Sequence, residues 1–183
     1  MDMLHCAYIG LGANLGDAQA TLRQALAELA AHASTGALEV SAFYRTAPVD
    51  AGGPDFINAA ARLETRLEPL ALLDLLQALE QQHGRERPYR NAPRTLDLDM
   101  LFYDDLTLDT PRLVLPHPRM HERAFALMPL LDVLPPAAQD QDSRRCLPVS
   151  RASLQQWLSA CGDQRIERLG SPDGTAHTGS DTT

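Results

Sequence analysis

A chain of 183 residues, 44% hydrophobic but only 5% aromatic, suits one globular domain with a core of aliphatic side chains. Its 24 acidic and 16 basic residues leave a formal charge of -8, so no global positive field gathers nucleic acid, and an anionic ligand must be met by a local device. All 16 basic residues are Arg, and a chain without Lys cannot build a Walker A phosphate loop, a protein-kinase site or a Schiff base.

Residues 6–12 (CAYIGLG) read as a first strand ending in glycine, and Asp17 is placed to cap a helix with the apolar stripe Leu22, Ala25, Leu26, Leu29. Residues 38–46 alternate as a second strand, with Leu38, Val40, Ala42 and Tyr44 on one face and Glu39, Ser41, Phe43 and Arg45 on the other. A long turn from Ala47 to Asp55 follows, marked by Pro48, Gly52, Gly53 and Pro54. The third strand, Phe56 to Thr65, places Ile57, Ala59, Ala61 and Leu63 on one face and leaves Phe56 and Asn58 on the other; it closes a long-looped hairpin with the second. Pro69 opens a helix through Leu72, Leu73, Leu76, Leu79 and Glu80 that stops at Gly84. An Arg-dense segment, 85–94, leads into a fourth strand, Leu96 to Tyr103.

The order strand, helix, strand, strand, helix, strand predicts an α+β fold, a ferredoxin-like antiparallel sheet with both of these helices on one face. Residues 121–134 add a helix on the other side, from His121 through Phe125 and Leu130, and Leu154 to Leu158 begin another, so helices cover both faces. Residues 1–169 are expected to form a single domain. Gly170 to Thr183, rich in Gly, Ser, Thr and Asp with no apolar period, is expected to be a disordered tail.

Cys6, Cys146 and Cys161 are odd in number and unclustered, which points to a reducing compartment and away from a disulfide framework or a zinc site. No basic region followed by an apolar core opens the chain, and no apolar run nears the roughly 18 residues of a bilayer span. The expectation is a cytoplasmic monomer with no membrane or nucleic-acid partner.

In Arg94-Thr95-Leu96-Asp97-Leu98-Asp99-Met100-Leu101-Phe102, strand alternation sets Leu96, Leu98, Met100 and Phe102 on one face and both aspartates on the other. Their positions lie about 6.6 Å apart, where two charges repel by roughly 2.5 kcal/mol at an effective dielectric near 20. Mg²⁺ ions bridged by the carboxylates and capped by polyphosphate oxygens would offset this. An isolated D-x-D is more often the solvated face of an edge strand. Here Arg85, Arg87, Arg90 and Arg94 stand against Glu86 alone just before the pair, so guanidinium and metal can share one polyphosphate.

HGRERPYRNAPRTLDLDMLFY, residues 83–103, resembles the signature of the hydroxymethyldihydropterin pyrophosphokinase family, and the likeness continues through AYIGLGANLGD at 7–17, FYRTAPVD at 43–50, DFINAA at 55–60 and LPHPRMHERAFAL at 115–127. It covers roughly residues 7–135. The resemblance implies that Asp97 and Asp99 hold two Mg²⁺ ions and that Arg85 and Arg94 ride on a loop closing over the ATP phosphates. It places Gln77, Glu80, Met100, Arg112, His117 and Arg123 on the ATP side. It sets the pterin ring between Phe56 and Phe125, with Asn58 reading its polar edge and Thr46 and Val49 supplying backbone hydrogen bonds. Read by itself, His117 between Pro116 and Pro118 is more often a turn residue, Phe56 more often a core residue, and Asn14 either supports the pocket or makes a turn. The implied reaction is attack by the pterin hydroxymethyl oxygen on the β-phosphorus of ATP, releasing AMP, with Asp97 the nearest candidate for a base. The chain departs from the family's usual pattern at Asn91-Ala92, Val114 and Pro118, all positions near the nucleotide side. A metal-dependent nucleotide transferase without a pterin pocket and a ferredoxin-like sensing module are the rival readings.

Overall fold

The computed structural model describes residues 3–48, 53–84, 95–135 and 147–172. Its central sheet runs β5 (Asp97–Tyr103), β1 (His5–Ala13), β4 (Phe56–Thr65), β3 (Phe43–Thr46), β8 (Ile166–Gly170), and β2 (Thr35–Val40) also pairs with β4. Every one of these pairings is antiparallel, and the sequence-order core β5-β1-β4-β3 is the ferredoxin-like arrangement. β6 (Leu108–Asp109) and β7 (Val114–Leu115) form a small separate ribbon.

α1 (Ala18–Ala31) starts where the Asp17 carboxylate accepts from the Ala20 amide at 3.0 Å, and α2 (Pro69–Gln82) starts with proline in its first turn, where no amide donor is needed. Leu22, Leu26 and Leu29 of α1 and Leu72, Leu76 and Leu79 of α2 bury against Ala7, Ile9 and Leu11 of β1. Each fully buried leucine contributes about 1.5 to 3 kcal/mol. The opposite face carries a second core, in which Tyr8, Ala60 and Phe102 meet Leu127 and Leu130 of α3 (Ala124–Asp132) and Leu154 of α4 (Arg151–Ala160). The helix expected over 121–134 is thus shorter: a 3₁₀ turn, Met120–Glu122, and an extended Arg123 precede α3.

Two bulges correct the strand parity read from sequence. The second strand is broken, because Val40 pairs with Ala61 but Tyr44 pairs with Asn58, which leaves one extra residue on the β2–β3 side. Phe43 therefore joins Leu38 and Val40 on the α1 face, while Tyr44 and Thr46 turn to the other. Ser41 makes the break good: its amide donates to Ala60 O at 2.9 Å and its hydroxyl accepts from Ala60 N at 2.9 Å. Asp132 holds the far side, accepting from Ala42 N at 3.2 Å and from the Tyr44 hydroxyl at 2.8 Å. Burial and that carboxylate push the Tyr44 pKa up, so it stays a donor. In β5, Met100 pairs with Ile9 and Phe102 with Tyr8, so Leu101 is the extra residue and Phe102 lies on the α3 face, not with Leu98 and Met100.

β8 has no counterpart in the sequence reading. Gly170, expected to open the tail, instead closes β8 opposite Phe43, and Pro172 O accepts from Arg23 Nε at 3.0 Å. The remainder of that tail, 173–183, lies outside the described residues.

Candidate active site

Among the described residues, a cavity opens on the α3 face of the sheet over a row of paired residues. Asp97 of β5 faces Gly12 of β1, which faces Asn58 of β4; one step along, Asp99 faces Gly10. The two glycines floor the cavity between the carboxylates and the amide. At Gly12 the space is needed, because an added Cβ would lie 3.0 Å from Asn58 Oδ1. Asn58 is 4% exposed, and its Nδ2 donates to Thr46 Oγ1 at 2.7 Å. Thr46 reaches that position only because the Ser41 bulge turned β3 over.

The other wall comes from the chain after β7 and the first turn of α3, contributing His117, Met120, Arg123, Phe125 and Ala126. His117 N donates to Leu101 O at 2.9 Å, which ties this wall to the bulge of β5. His117 Nδ1 accepts from Arg119 N at 3.2 Å, so the proton of the neutral ring sits on Nε2. Burial, helped by the neighbouring Arg123 guanidinium and opposed by Asp97, brings its pKa down to about 4. At neutral pH the ring is an uncharged donor. Arg123 lies with its guanidinium carbon 5.5 Å from the Phe125 ring centroid.

Of the residues singled out by sequence, Thr46, Phe56, Asn58, Asp97, Asp99, His117, Arg123 and Phe125 line this one cavity. Four others do not. Met100 is buried in the core opposite Ile9, on the α1 and α2 side of the sheet. Glu80 is 1% exposed and its Oε1 accepts from Leu98 N at 2.8 Å, so its side chain serves the β5 backbone. Arg112 is ion-paired with Asp74 at the surface of α2, the helix on which Gln77 is also exposed. Val49, Arg85 and Arg94 lie outside the described residues. Asn14 is 3% exposed and does not line this cavity; its Nδ2 donates to Pro54 O at 3.2 Å, just before β4. The sequence reading missed Gly10 and Gly12 as floor residues, although two same-face glycines inside a strand are themselves a sign of close approach.

The donor set fits Mg²⁺. Asp97 and Asp99 present hard carboxylate oxygens from one strand face into a cavity, and among the described residues no cluster of three or more His, Cys, Asp or Glu could hold a metal ion unaided. Two protein carboxylates with the remaining positions left to water and phosphate is how Mg²⁺ is usually held.

Residues 8–135 match the family model for 7,8-dihydro-6-hydroxymethylpterin-pyrophosphokinase (HPPK). A 2-amino-4-hydroxy-6-hydroxymethyldihydropteridine pyrophosphokinase of Bacillus subtilis is 45% identical over 134 residues, 72% of this chain and 79% of the relative. One from Pseudomonas aeruginosa is 42% identical over 168 residues, 91% of this chain and 98% of the relative. In fold, the chain is similar to the crystal structure of a Plasmodium falciparum HPPK-DHPS, with a TM-score of 0.64 at 15% identity over 87% of this chain, and it spans 46% of that longer chain. The chain belongs to the 7,8-dihydro-6-hydroxymethylpterin-pyrophosphokinase family.

Proposed function

We propose that this chain transfers the pyrophosphoryl group of MgATP to the hydroxymethyl oxygen of 6-hydroxymethyl-7,8-dihydropterin, a step of folate biosynthesis. The observation that carries this reading is that one cavity joins a flat-ring end, Phe56, Asn58 and Phe125, to a carboxylate end, Asp97 and Asp99. Phe56 and Phe125 offer π-faces to the heterocycle and Asn58 an amide to its polar edge, with Thr46 beside them; Val49, outside the described residues, is assigned a backbone hydrogen bond to the ring in this reading. His117 and Arg123, which line the same cavity, present donors to the polyphosphate, and in this reading Arg112 and Gln77 act on the nucleotide from outside the cavity. Glu80 and Met100 are buried, and the Glu80 carboxylate accepts from Leu98 N of β5, so in this reading they support the strand that carries the two aspartates.

The new bond joins the pterin oxygen to the β-phosphorus, the bond to the α,β-bridging oxygen breaks, AMP leaves, and the hydroxyl proton passes to solvent. Such transfers have loose transition states, so alignment and charge stabilisation suffice without a strong base. Mg²⁺ held by Asp97 and Asp99, two ions in this reading, supplies the charge that neutralises the triphosphate. Arg85 and Arg94 complete the cationic side. We read the enzyme as a cytoplasmic monomer of one domain; among the described residues no helix is long and apolar enough to cross a membrane.

The test is incubation with MgATP and the pterin, following AMP and pterin diphosphate. AMP that forms only when both substrates are present supports the reading. ATP breakdown independent of the pterin sinks it in favour of another nucleotide-metabolising activity.

A further inference from the structure

Arg123 and Phe125 reach the cavity from a short stretch that has no side-chain cap of its own, since neither Arg123 nor its neighbours cap the first turn of α3. The cap comes from a distant part of the chain. Gln164, between α4 and β8, accepts from Ala124 N through Oε1 at 3.0 Å and donates through Nε2 to Glu122 O at 2.8 Å. An extended residue points its two neighbours' facing C=O and N–H groups to one side, and the amide of Gln164 meets that pair as an adjacent strand would. Arg123 is extended, with φ -123 and ψ 100. Its own amide donates to Met120 O at 3.1 Å and its carbonyl accepts from Ala126 N at 3.0 Å and Leu127 N at 3.0 Å. The backbone on both sides of Arg123 is therefore fully engaged, and one half of that engagement depends on a single side chain.

A second, open cavity, lined by Thr46, Ala47, Phe125, Asp163 and Gln164 among others, adjoins Phe125 on the side of Gln164. Among the described residues, this part of the chain also meets the stretch through an edge approach of His121 to Trp157 at 6.0 Å and a Cys161 Sγ contact to His121 O at 3.8 Å, and Met120 and Ala126 bury in one core with Leu154. The segment supplying all of these, α4 and the turn before β8, lies beyond residues 8–135 that match the family model.

We propose that Gln164 is a positioning residue: its side-chain amide clamps the backbone on either side of Arg123 and so presents Arg123 and Phe125 to the cavity as one unit. This rests on the pyrophosphokinase reading of that cavity. Gln164 touches neither substrate. Its effect passes through geometry, where displacements near 1 Å can cost roughly a hundredfold in rate.

The experiment uses the full chain with Gln164→Ala and Gln164→Glu. Gln164→Glu keeps the acceptor for Ala124 N, and its charge is favoured at the start of α3, but it loses the donor for Glu122 O. Gln164 is partly exposed, so both variants are expected to fold, and Gln164→Glu decides the matter if Gln164→Ala does not. Measured are thermal unfolding, MgATP affinity, and kcat and KM for the pterin from AMP formation. Gln164→Ala should lower kcat/KM for the pterin by roughly ten- to a hundredfold with little change in melting temperature, and Gln164→Glu should recover part of the loss. Wild-type kcat/KM in either variant overturns the inference, as does a loss that simply tracks melting temperature in both. A wild-type chain that makes no AMP would instead sink the pyrophosphokinase reading itself.

Discussion

Gly12 is paired directly with Asn58 across β1 and β4, and a β-carbon placed on it would stand 3.0 Å from the Asn58 amide oxygen. The contact is tighter than nearly all real β-carbon contacts, so the neighbour must give by a few tenths of an ångström. Asn58 is the one held on its far side, by the 2.7 Å bond to Thr46. Gly12→Ala should therefore tilt the amide, weakening pterin binding by about 1 to 3 kcal/mol, or roughly ten- to a hundredfold, while MgATP affinity changes much less. Calorimetric titration with each ligand checks this. Equal losses for both would mean that Asn58 does not read the pterin.

Asp97→Ala and Asp99→Ala should each abolish AMP formation and leave the melting temperature near that of the parent. Both carboxylates sit on the open face of β5, where neither is part of the aliphatic core, so removing one takes away a metal ligand and little packing. Activity and thermal unfolding are measured side by side. Full turnover in either variant would falsify the assignment of the pair as metal ligands; collapse of the fold would assign them a structural role.

His117 should make the protein less stable in mild acid. Its folded pKa of about 4 lies below the unfolded value of 6.5, so between those limits the unfolded chain binds the additional proton. Stability is then fully present above pH 6.5 and is lost as pH falls toward 4. At full strength the loss is about 3 kcal/mol, reduced by the screening that a partly exposed ring receives. Urea unfolding across that window should show a shallower pH slope for His117→Asn than for the parent. Parallel slopes would show that the ring is not buried neutral.

The ferredoxin-like order was legible because each element carries its own local signal: Asp17 ahead of an i, i+3, i+4 leucine stripe, Pro69 ahead of another, and clean alternation from Phe56 to Thr65. The faces taken by Asn58 and Asp97 were legible for the same reason, because no bulge falls between either residue and its neighbours on that stretch of strand. Parity failed where a bulge intervened, at Ser41 and at Leu101, since an inserted residue leaves no mark on composition and is defined only by the partner strand. β8 was missed because Ile166-Glu167-Arg168-Leu169 is short and mixed in polarity, an edge strand specified by its pairing with β3. The clamp from Gln164 to Glu122 and Ala124 spans some forty residues of sequence and has no local pattern at all.

The bulge at Ser41 offers the sharpest test of how the strand geometry makes the site. Ser41 is 2% exposed, and its hydroxyl accepts from the Ala60 amide, also buried, at the point where the β2 register gives way to that of β3. Ser41→Ala leaves that amide without its acceptor, which costs about 1 to 3 kcal/mol, and each kcal/mol lowers the melting temperature by roughly 2 to 4 °C in a domain of this size. The bulge itself should survive, because Ser41 N still donates to Ala60 O and Asp132 still holds Ala42 N and the Tyr44 hydroxyl. Turnover at a temperature well below unfolding should therefore stay close to the parent's. Deleting Ser41 should act differently. A one-residue slip exchanges the two faces of β3, sending Phe43 out of the α1 core and turning Thr46 away from Asn58. The deletion should either unfold the chain or leave a folded protein that no longer binds the pterin. Comparing melting temperature and pterin affinity for the substitution and the deletion separates the hydrogen bond from the register. A deletion variant that binds pterin normally would show that the position of Thr46 does not depend on the bulge.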